Sequence, residues 1–280
     1  MENAPIREGY VLDNATGKMV DGRKPEEKVR QEYEAALHND YDYDYAQMDI
    51  EVPIQRGEKN SKKNRNERAD IVVYNTTEKN KRNQNEDILG VIEVKRETRK
   101  GGVRQLMSYM TATSCRWGVW TNGKEIEYLF RDLLSGEIRA DFIYQIPKKG
   151  ETFEDIGRIS KDKLKPASNL KLIFRRLLNT LYSNTNISRR EKLGNEMIRL
   201  IFCKIWDERY ERAALPKFRA DFKEDPREVK KRIRDLFAQV TEELARDGVF
   251  DKNEEIQLDD KSVAYVVGEL AQFSLLNTAT

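Results

Sequence analysis

The stretches that decide the fold are "ADIVVY" at residues 69–74 and "LGVIEVKRE" at residues 89–97. Both are short apolar runs rich in Ile and Val, which predicts two buried strands. Neighbouring strands lie about 4.8 Å apart, so Asp70 in the first run and Glu93 in the second can direct their carboxylates into one volume. Lys95 projects to the same side as Glu93, because strand side chains alternate with a period of two.

Two carboxylates beside an ammonium group suit the hydrolysis of a phosphodiester. The carboxylates are hard oxygen donors of the kind that hold Mg²⁺, and the cation polarises the phosphate and lowers the pKa of a bound water. Lys95 orients that water or stabilises the developing negative charge. The pattern is weak alone, since 36% of the chain is charged.

Neighbouring residues strengthen this interpretation. Val91 and Ile92 make the strand around Glu93 apolar, which favours partial desolvation of its carboxylate. The segment 101–115 is predicted to form a short helix against the sheet, in which Gln105 and Tyr109 share a face at a spacing of four residues.

Further elements complete a predicted mixed α/β sheet flanked by helices. They are a helix at 24–39 with Pro25 in its first turn, a strand in "MDIEVPIQRG" at 48–57, a hairpin at Asn122-Gly123 and an edge strand at 138–147. "YDYDY" at 41–45 is predicted to be a polar exit loop, with a strand edge or a carboxylate cluster as alternatives.

A change of periodicity marks a second domain. After a linker at 148–167, apolar residues recur with a period of 3.6, which predicts an all-α helical domain of about four helices over 168–280. The first domain is therefore assigned to residues 1–147.

Composition limits the chemistry. The 280 residues contain two cysteines and one histidine, so zinc sites, disulfide frameworks and histidine acid–base catalysis are disfavoured. There is no apolar stretch of membrane-spanning length and no secretory signal at the N-terminus, from which we predict a cytoplasmic protein without a membrane partner.

Positive charge is concentrated between Arg56 and Arg104, where 14 Lys and Arg stand against 8 Asp and Glu. Such a region suits a polyanion, although solvated loops would have the same composition. The candidate DNA-binding residues are Lys62, Lys63, Arg65, Arg68, Arg96, Arg99, Lys100 and Arg104.

Together these residues resemble a known family, the PD-(D/E)XK nucleases, and within it the N-terminal nuclease domain of type I restriction enzyme R subunits and fused restriction–modification (type IIG) proteins. The resemblance rests on "PEEKVRQ" at 25–31, "RADIVVY" at 68–74, "GVIEVKRE" at 90–97, "RQLMSYM" at 104–110 and "VWTNG" at 119–123. The sequence departs from the family pattern at Ala69, where the family name has proline.

The resemblance implies a restriction-endonuclease-like fold and a Mg²⁺-dependent endonuclease. It also implies that Asp70 and Glu93 are metal ligands, that Lys95 is the catalytic lysine, and that Gln105 and Tyr109 support them. The first helix would contribute an acid as a further ligand, namely Glu27, with Glu26 as the alternative.

The segment "ISRREKLGNEMIRLIFCKIWDERY" at 187–210 is similar to the helical part that precedes the catalytic domain of N6-adenine DNA methyltransferases. Neither a Walker A motif nor an S-adenosylmethionine loop is found, so no ATP or S-adenosylmethionine site is predicted. We therefore expect the front part of a longer protein, or a subunit, that acts on double-stranded DNA. Methyltransferase and specificity regions would be supplied in cis or in trans, and double-strand cleavage would involve a transient dimer.

Two other functions fit the same residues. One is a DNA-binding or assembly module that keeps the nuclease fold but does not cut alone. The other is a repair or junction nuclease with the same active site.

Overall fold

The chain consists of two compact units, Met1–Asp141 and Phe142–Thr280. The computed structural model describes residues 7–54, 67–83, 85–99, 101–185, 190–245, 248–251 and 253–276. Phe153, Ile156 and Leu164, which fall in the predicted linker, are buried residues of the second unit. The predicted domains end at residue 147 and begin again at residue 168, whereas the first compact unit ends at Asp141 and the second begins at Phe142. The predicted limits stay a prediction.

The first unit is built on one six-stranded mixed sheet, which confirms the predicted fold class. Its strands β3 to β8 neighbour one another in chain order, and every pair is antiparallel except β5 with β6. The elements are β1 (Tyr10–Leu12), β2 (Met19–Asp21), α1 (Pro25–Asn39), β3 (Met48–Pro53), β4 (Arg68–Tyr74), β5 (Ile88–Val94), α2 (Val103–Ala112), β6 (Trp117–Thr121), β7 (Ile126–Arg131) and β8 (Ile138–Arg139).

β4 and β5 are interior strands of this sheet and are largely buried, as their apolar composition predicts. They pair with Ile71 opposite Ile92, and these β-branched side chains are fully buried. A side chain at Gly90 would clash with the neighbouring strand, because a Cβ there would lie 2.3 Å from the ring of Trp117. The pairing of β5 with β6 therefore depends on this glycine.

Both predicted helices of the first unit are present. α1 packs against β4 and β5, and α2 packs against β5 and β6. α2 approaches the sheet closely at Gly118, where a Cβ would lie 2.6 Å from the Sδ of Met110. The helix is shorter than the predicted 101–115, since it begins after Gly102, whose φ of 133° suits glycine alone.

Some local structure differs from the prediction. β1 and β2 form a separate two-stranded sheet that the sequence did not predict. β8 covers only Ile138–Arg139 of the predicted edge strand at 138–147. Residues 41–44 are a loop, but Tyr41 and Tyr43 are buried in it, so the loop is less polar than predicted.

β3 stands at one end of the six-stranded sheet. Glu51 in this strand has a φ of 50°, in the left-handed region that a non-glycine residue seldom occupies. Pro53, which ends the strand, has no N–H to donate. The regular row of backbone donors and acceptors is thus broken twice along this strand.

The second unit is helical, as predicted. Its helices are α3 (Leu170–Asn184), α4 (Arg190–Tyr210), α5 (Pro226–Leu244) and α6 (Asp260–Ala271). Side chains of Asn169, Asp225 and Asp259 cap the N-termini of α3, α5 and α6. No helix among the described residues is long and apolar enough to span a membrane.

Carboxylates on α4 anchor the chain segments that follow it. Glu196 accepts hydrogen bonds from the backbone N–H groups of Gln257 and Leu258, at 2.8 and 3.0 Å. Near the end of α4, Asp207 accepts one from Phe218 at 2.6 Å, and Glu208 accepts one from Leu275 at 3.1 Å. These buried acids satisfy backbone groups that lack helical partners.

α1 carries a buried charged cluster around Arg30 in the first unit. The guanidinium lies 2.5 Å from Glu27 and 3.7 Å from Asp13 and Glu34. Glu34 is fully buried, and its oxygens accept no hydrogen bond from any donor of the described residues. Burial and then the negative charge of Asp13 raise the pKa of Glu34 to about 8.

The raised pKa of Glu34 predicts a pH-dependent stability. Between its usual pKa and 8 the folded chain keeps a proton that the unfolded chain loses, so the free energy of unfolding falls with rising pH by up to about 1.4 kcal/mol per unit. Glu34→Gln removes this contribution, and the variant should gain stability over the parent chain as the pH rises from 5.5 to 8.5. Urea unfolding across this range measures the difference. Glu32→Gln, on the same helix, is the control, and an equal gain there would contradict the assignment.

Candidate active site

Asp70 and Glu93 face each other across β4 and β5. They lie one residue beyond the Ile71–Ile92 pair in the same register, at the start of β4 and near the end of β5. The Oδ2 atom of Asp70 accepts a hydrogen bond of 2.7 Å from the backbone N–H of Val94. The two carboxylates therefore share one side of the sheet, as the alternation of side chains predicts.

Lys95 completes the group. Its Nζ donates a hydrogen bond to the Oε1 atom of Glu93, and its side chain is 15% exposed whereas that of Glu93 is 1% exposed. The Oε2 atom of Glu93 accepts no hydrogen bond from any donor among the described residues. A buried carboxylate oxygen without a donor is costly unless a proton or a cation compensates it.

The two carboxyl groups are electrostatically linked. Burial and then the negative charge of Asp70 raise the pKa of Glu93 to about 7, against the opposing effect of Lys95. Burial also raises the pKa of Asp70, and the Val94 N–H and the charges of Lys95 and Arg30 oppose this. Two like charges this close favour one shared proton near neutral pH.

Gln105 and Tyr109 lie on the face of α2 next to this pair. Gln105 Nε2 donates to the Tyr109 hydroxyl at 2.5 Å, and that hydroxyl donates to the backbone carbonyl of Arg68 at 2.9 Å. Burial first, and then the charges of nearby acids including Glu93 and Asp70, raise the pKa of Tyr109 to about 12. Tyr109 is thus a neutral hydrogen-bonding group that ties α2 to the start of β4.

The first helix offers Glu26 and Glu27, and the structure separates them. Glu27 is buried and bonded to Arg30 at 2.5 Å and to Gln31 at 2.9 Å. The charge of Glu26, in contrast, raises the pKa of Asp70. Glu27 is thus held by partners on its own helix, whereas Glu26 contributes negative charge near Asp70, and the role of either residue as the acid of the site stays a prediction.

The predicted DNA-binding residues are partly described. Arg68, Arg96, Arg99 and Arg104 are exposed on the β4, β5 and α2 side of the first unit, and Arg68 also donates to the carbonyl of Glu51 at 2.9 Å. Lys62, Lys63, Arg65 and Lys100 lie outside the described residues. Exposed guanidinium groups near the carboxylate pair suit phosphate contacts.

The candidate protein ligands for a hard divalent cation are two carboxylates. Among the described residues, no group of three or more His, Cys, Asp and Glu side chains is placed to hold a metal ion. Asp70 and Glu93 supply two carboxylates, one with an oxygen that lacks a donor. Mg²⁺ is commonly held by one or two carboxylates together with waters and substrate phosphate oxygens, so two protein ligands suffice.

A cavity of about 590 Å³ in the second unit does not offer comparable chemistry. Its basic and acidic side chains pair with each other, as in Lys230 with Asp260 at 3.2 Å and Arg234 with Glu255 at 3.8 Å. The carboxylate pair with a lysine is found in the first unit.

Two residues near the site were missed by reasoning from the sequence. The positive charge of Arg30, on α1, opposes the rise in the pKa of Asp70. Trp120, on β6, is the neighbour of Glu93 in the sheet. The motifs "PEEKVRQ" and "VWTNG" contain both residues, but only the packing of α1 and β6 reveals what they contact.

Comparison with known proteins matches residues 25–147 to a family model described as the type I restriction enzyme R protein N terminus. The match contains Asp70, Glu93, Lys95, Gln105 and Tyr109. The helical segment that resembles methyltransferases is outside it and remains a prediction. None of the curated proteins compared with the chain matches it.

The shared proton predicts a pH-dependent binding of divalent cations. Since a cation requires both carboxylates ionised, Mg²⁺ binding at pH 6.5 should release a proton, and the apparent affinity should fall about tenfold per pH unit below the pKa of about 7. Calorimetry in buffers of different ionisation enthalpy measures the release. Glu93→Gln should lose the binding, and Glu127→Gln on β7 is the control. Proton release that is unchanged at pH 8.5 would contradict the shared proton.

Proposed function

We propose that this chain is the Mg²⁺-dependent endonuclease part of a restriction–modification system. The first reason is that residues 25–147 match the family of type I restriction enzyme R protein N-terminal domains. The observation that carries the proposal is the facing pair Asp70 and Glu93 with Lys95 bonded to Glu93. Its substrate would be double-stranded DNA in the cytoplasm, in defence against phage, as in a type I-like or type IIG enzyme.

Asp70 and Glu93 would hold the cation, which polarises the scissile phosphate and lowers the pKa of a bound water. The Val94 N–H fixes one oxygen of Asp70 at 2.7 Å, so the other oxygen is available to a ligand. Glu27, with Glu26 as the alternative, would contribute a further acid from α1; the charge of Glu26 raises the pKa of Asp70. Burial of Glu93 strengthens these electrostatic interactions by excluding water.

Lys95 would act on the substrate once Glu93 is engaged. In the structure its ammonium group is paired with Glu93; with Glu93 serving as a metal ligand, the Lys95 ammonium would be available to the phosphate. There Lys95 would orient the attacking water or stabilise charge that develops in the transition state. Its partial exposure gives a substrate access to the Nζ atom.

Gln105 and Tyr109 would support this arrangement. The Tyr109 hydroxyl fixes the backbone of Arg68, two residues before Asp70. Gln105 holds that hydroxyl and is itself half-buried, so its amide lies within reach of a phosphate at the site. Specificity and methyltransferase regions would be supplied in cis or in trans, and two copies would meet transiently for a double-strand cut.

Cleavage of plasmid DNA with Mg²⁺ tests the proposal. Lys95→Ala should lower the cleavage rate at least about 100-fold, since loss of one group that stabilises transition-state charge typically costs this much. Lys124→Ala is the matched control, because Lys124 also pairs with an acid, Glu97, at 3.1 Å but is 44% exposed outside the site.

Absence of cleavage by the parent chain, together with retained DNA binding, would point to the alternative of an assembly module. Equal cutting of duplex, flap and four-way-junction substrates would leave the proposal intact. A strong preference for junctions would favour the repair nuclease.

DNA binding should depend steeply on salt, because exposed arginines displace counterions from phosphates. The double variant Arg96→Ala/Arg104→Ala should reduce the slope of log affinity against log salt concentration by about two. Fluorescence anisotropy with a DNA duplex between 50 and 200 mM salt measures the slope. Arg227→Ala/Arg234→Ala, in the second unit, provides the control. An equal effect of both double variants would remove the first unit's arginines from the interface.

A further inference from the structure

Trp120 lies next to Glu93 in the sheet, on the side away from Asp70. In the parallel pair β5–β6, Glu93 and Trp120 are direct neighbours, and neighbouring side chains in register project to the same face. Trp120 is 2% exposed. Its indole ring therefore forms an apolar wall of the pocket that holds Glu93.

The same tryptophan holds the connection that follows Lys95. The Nε1–H of Trp120 donates to the carbonyl of Gly101 at 3.1 Å. Two residues further along, Asn122 Nδ2 donates to the carbonyl of Arg99 at 3.2 Å. Two side chains at the end of β6 thus bond to the backbone carbonyls of Arg99 and Gly101, in the segment that joins β5 to α2.

Gly102 lies between Trp120 and Lys95. A Cβ at Gly102 would lie 2.6 Å from Trp120 Nε1 and 3.2 Å from the Cε of Lys95. The backbone at Gly102 is thus packed between the indole and the aliphatic part of the lysine. Gly102 also precedes α2, the helix that carries Gln105.

We propose that Trp120 and Asn122 are positioning residues, which fix the connection between β5 and α2 so that Gly102 holds Lys95 against Glu93. This inference rests on the proposed function, because it assigns the two residues to the nuclease reaction. It also explains why the motif "VWTNG" ends at the site, although none of its side chains has a reacting role.

The physical reason is the flexibility of lysine. Its side chain has four rotatable bonds and loses about 2 kcal/mol of rotamer entropy when fixed, so a rigid wall on its aliphatic part lowers this cost before the substrate binds. A displacement of about 1 Å at a reacting group can reduce the rate 100-fold. The glycine pair at 101–102 allows the backbone to approach this closely, with φ values of 109° and 133°.

The two glycines provide a matched test. Gly101→Ala and Gly102→Ala both place a side chain at a positive φ, but a Cβ at Gly101 meets nothing within 4 Å. We expect Gly102→Ala to lower kcat for DNA cleavage about tenfold further than Gly101→Ala does, with KM for DNA within twofold. Equal losses in the two variants would show that backbone strain alone matters, and would overturn the proposal.

A second test removes the hydrogen bonds and keeps the shape. Trp120→Phe retains an aromatic wall without the N–H, and Asn122→Asp keeps the Oδ1 atom that accepts from the Lys124 and Glu125 N–H groups while losing the donor to Arg99. Trp117→Phe is the control, because Trp117 lies on the same strand and its Nε1 donates to no acceptor among the described residues.

Amide hydrogen exchange of the metal-free, DNA-free chain is the decisive readout. Trp120→Phe and Asn122→Asp should each accelerate exchange over residues 96–105 at least about tenfold, which corresponds to about 1.4 kcal/mol of local stability, while Trp117→Phe leaves this segment unchanged. Unchanged exchange in both variants, or faster exchange without a lower kcat, would overturn the proposal. A parent chain that does not cut would refute the proposed function instead, because the exchange comparison does not depend on cleavage.

Discussion

The candidate active site depends on one constraint, namely that β4 and β5 place two carboxylates opposite each other at an end of their antiparallel pair. Asp70 and Glu93 cannot both be ionised there without compensation, because the surroundings of Glu93 are buried and apolar. In the structure the ammonium group of Lys95 is bonded to Glu93, and burial together with the charge of Asp70 raises the pKa of Glu93 to about 7, which favours a proton on the pair. In the proposed function a divalent cation would compensate the same charge in their place.

Much of this geometry follows from the sequence. The alternation of side chains in "LGVIEVKRE" places Glu93 and Lys95 on one side, and the paired apolar runs bring Asp70 to them. The apolar periodicity predicts helices at 24–39 and 101–115, and the structure has them at Pro25–Asn39 and Val103–Ala112. These signals are local, since each depends on residues only a few positions apart. Local signals also sufficed for the helical second unit.

What the sequence could not give depends on contacts between distant elements. Whether Glu26 or Glu27 faces the site depends on a rotation of about 100° around α1, which the sequence alone does not fix; in the structure Glu27 forms a salt bridge with Arg30. The β1–β2 hairpin has only three residues in each strand, too few for a clear pattern. The contact of Trp120 with the connection before α2 spans 19 residues. In α4, Asp207 and Glu208 accept hydrogen bonds from the backbone N–H groups of Phe218 and Leu275, which lie 11 and 67 residues further along the chain.

The interruption of β3 bears on how two copies of the protein can meet. A regular exposed strand invites a second chain to extend the sheet by backbone hydrogen bonding. The left-handed backbone at Glu51 and the missing N–H of Pro53 prevent such an extension along β3. At the other end of the sheet, β8 has only two residues and offers little edge for a neighbour. Two copies of the first unit would therefore associate through side chains, and not through a continuous intermolecular sheet along β3 or β8.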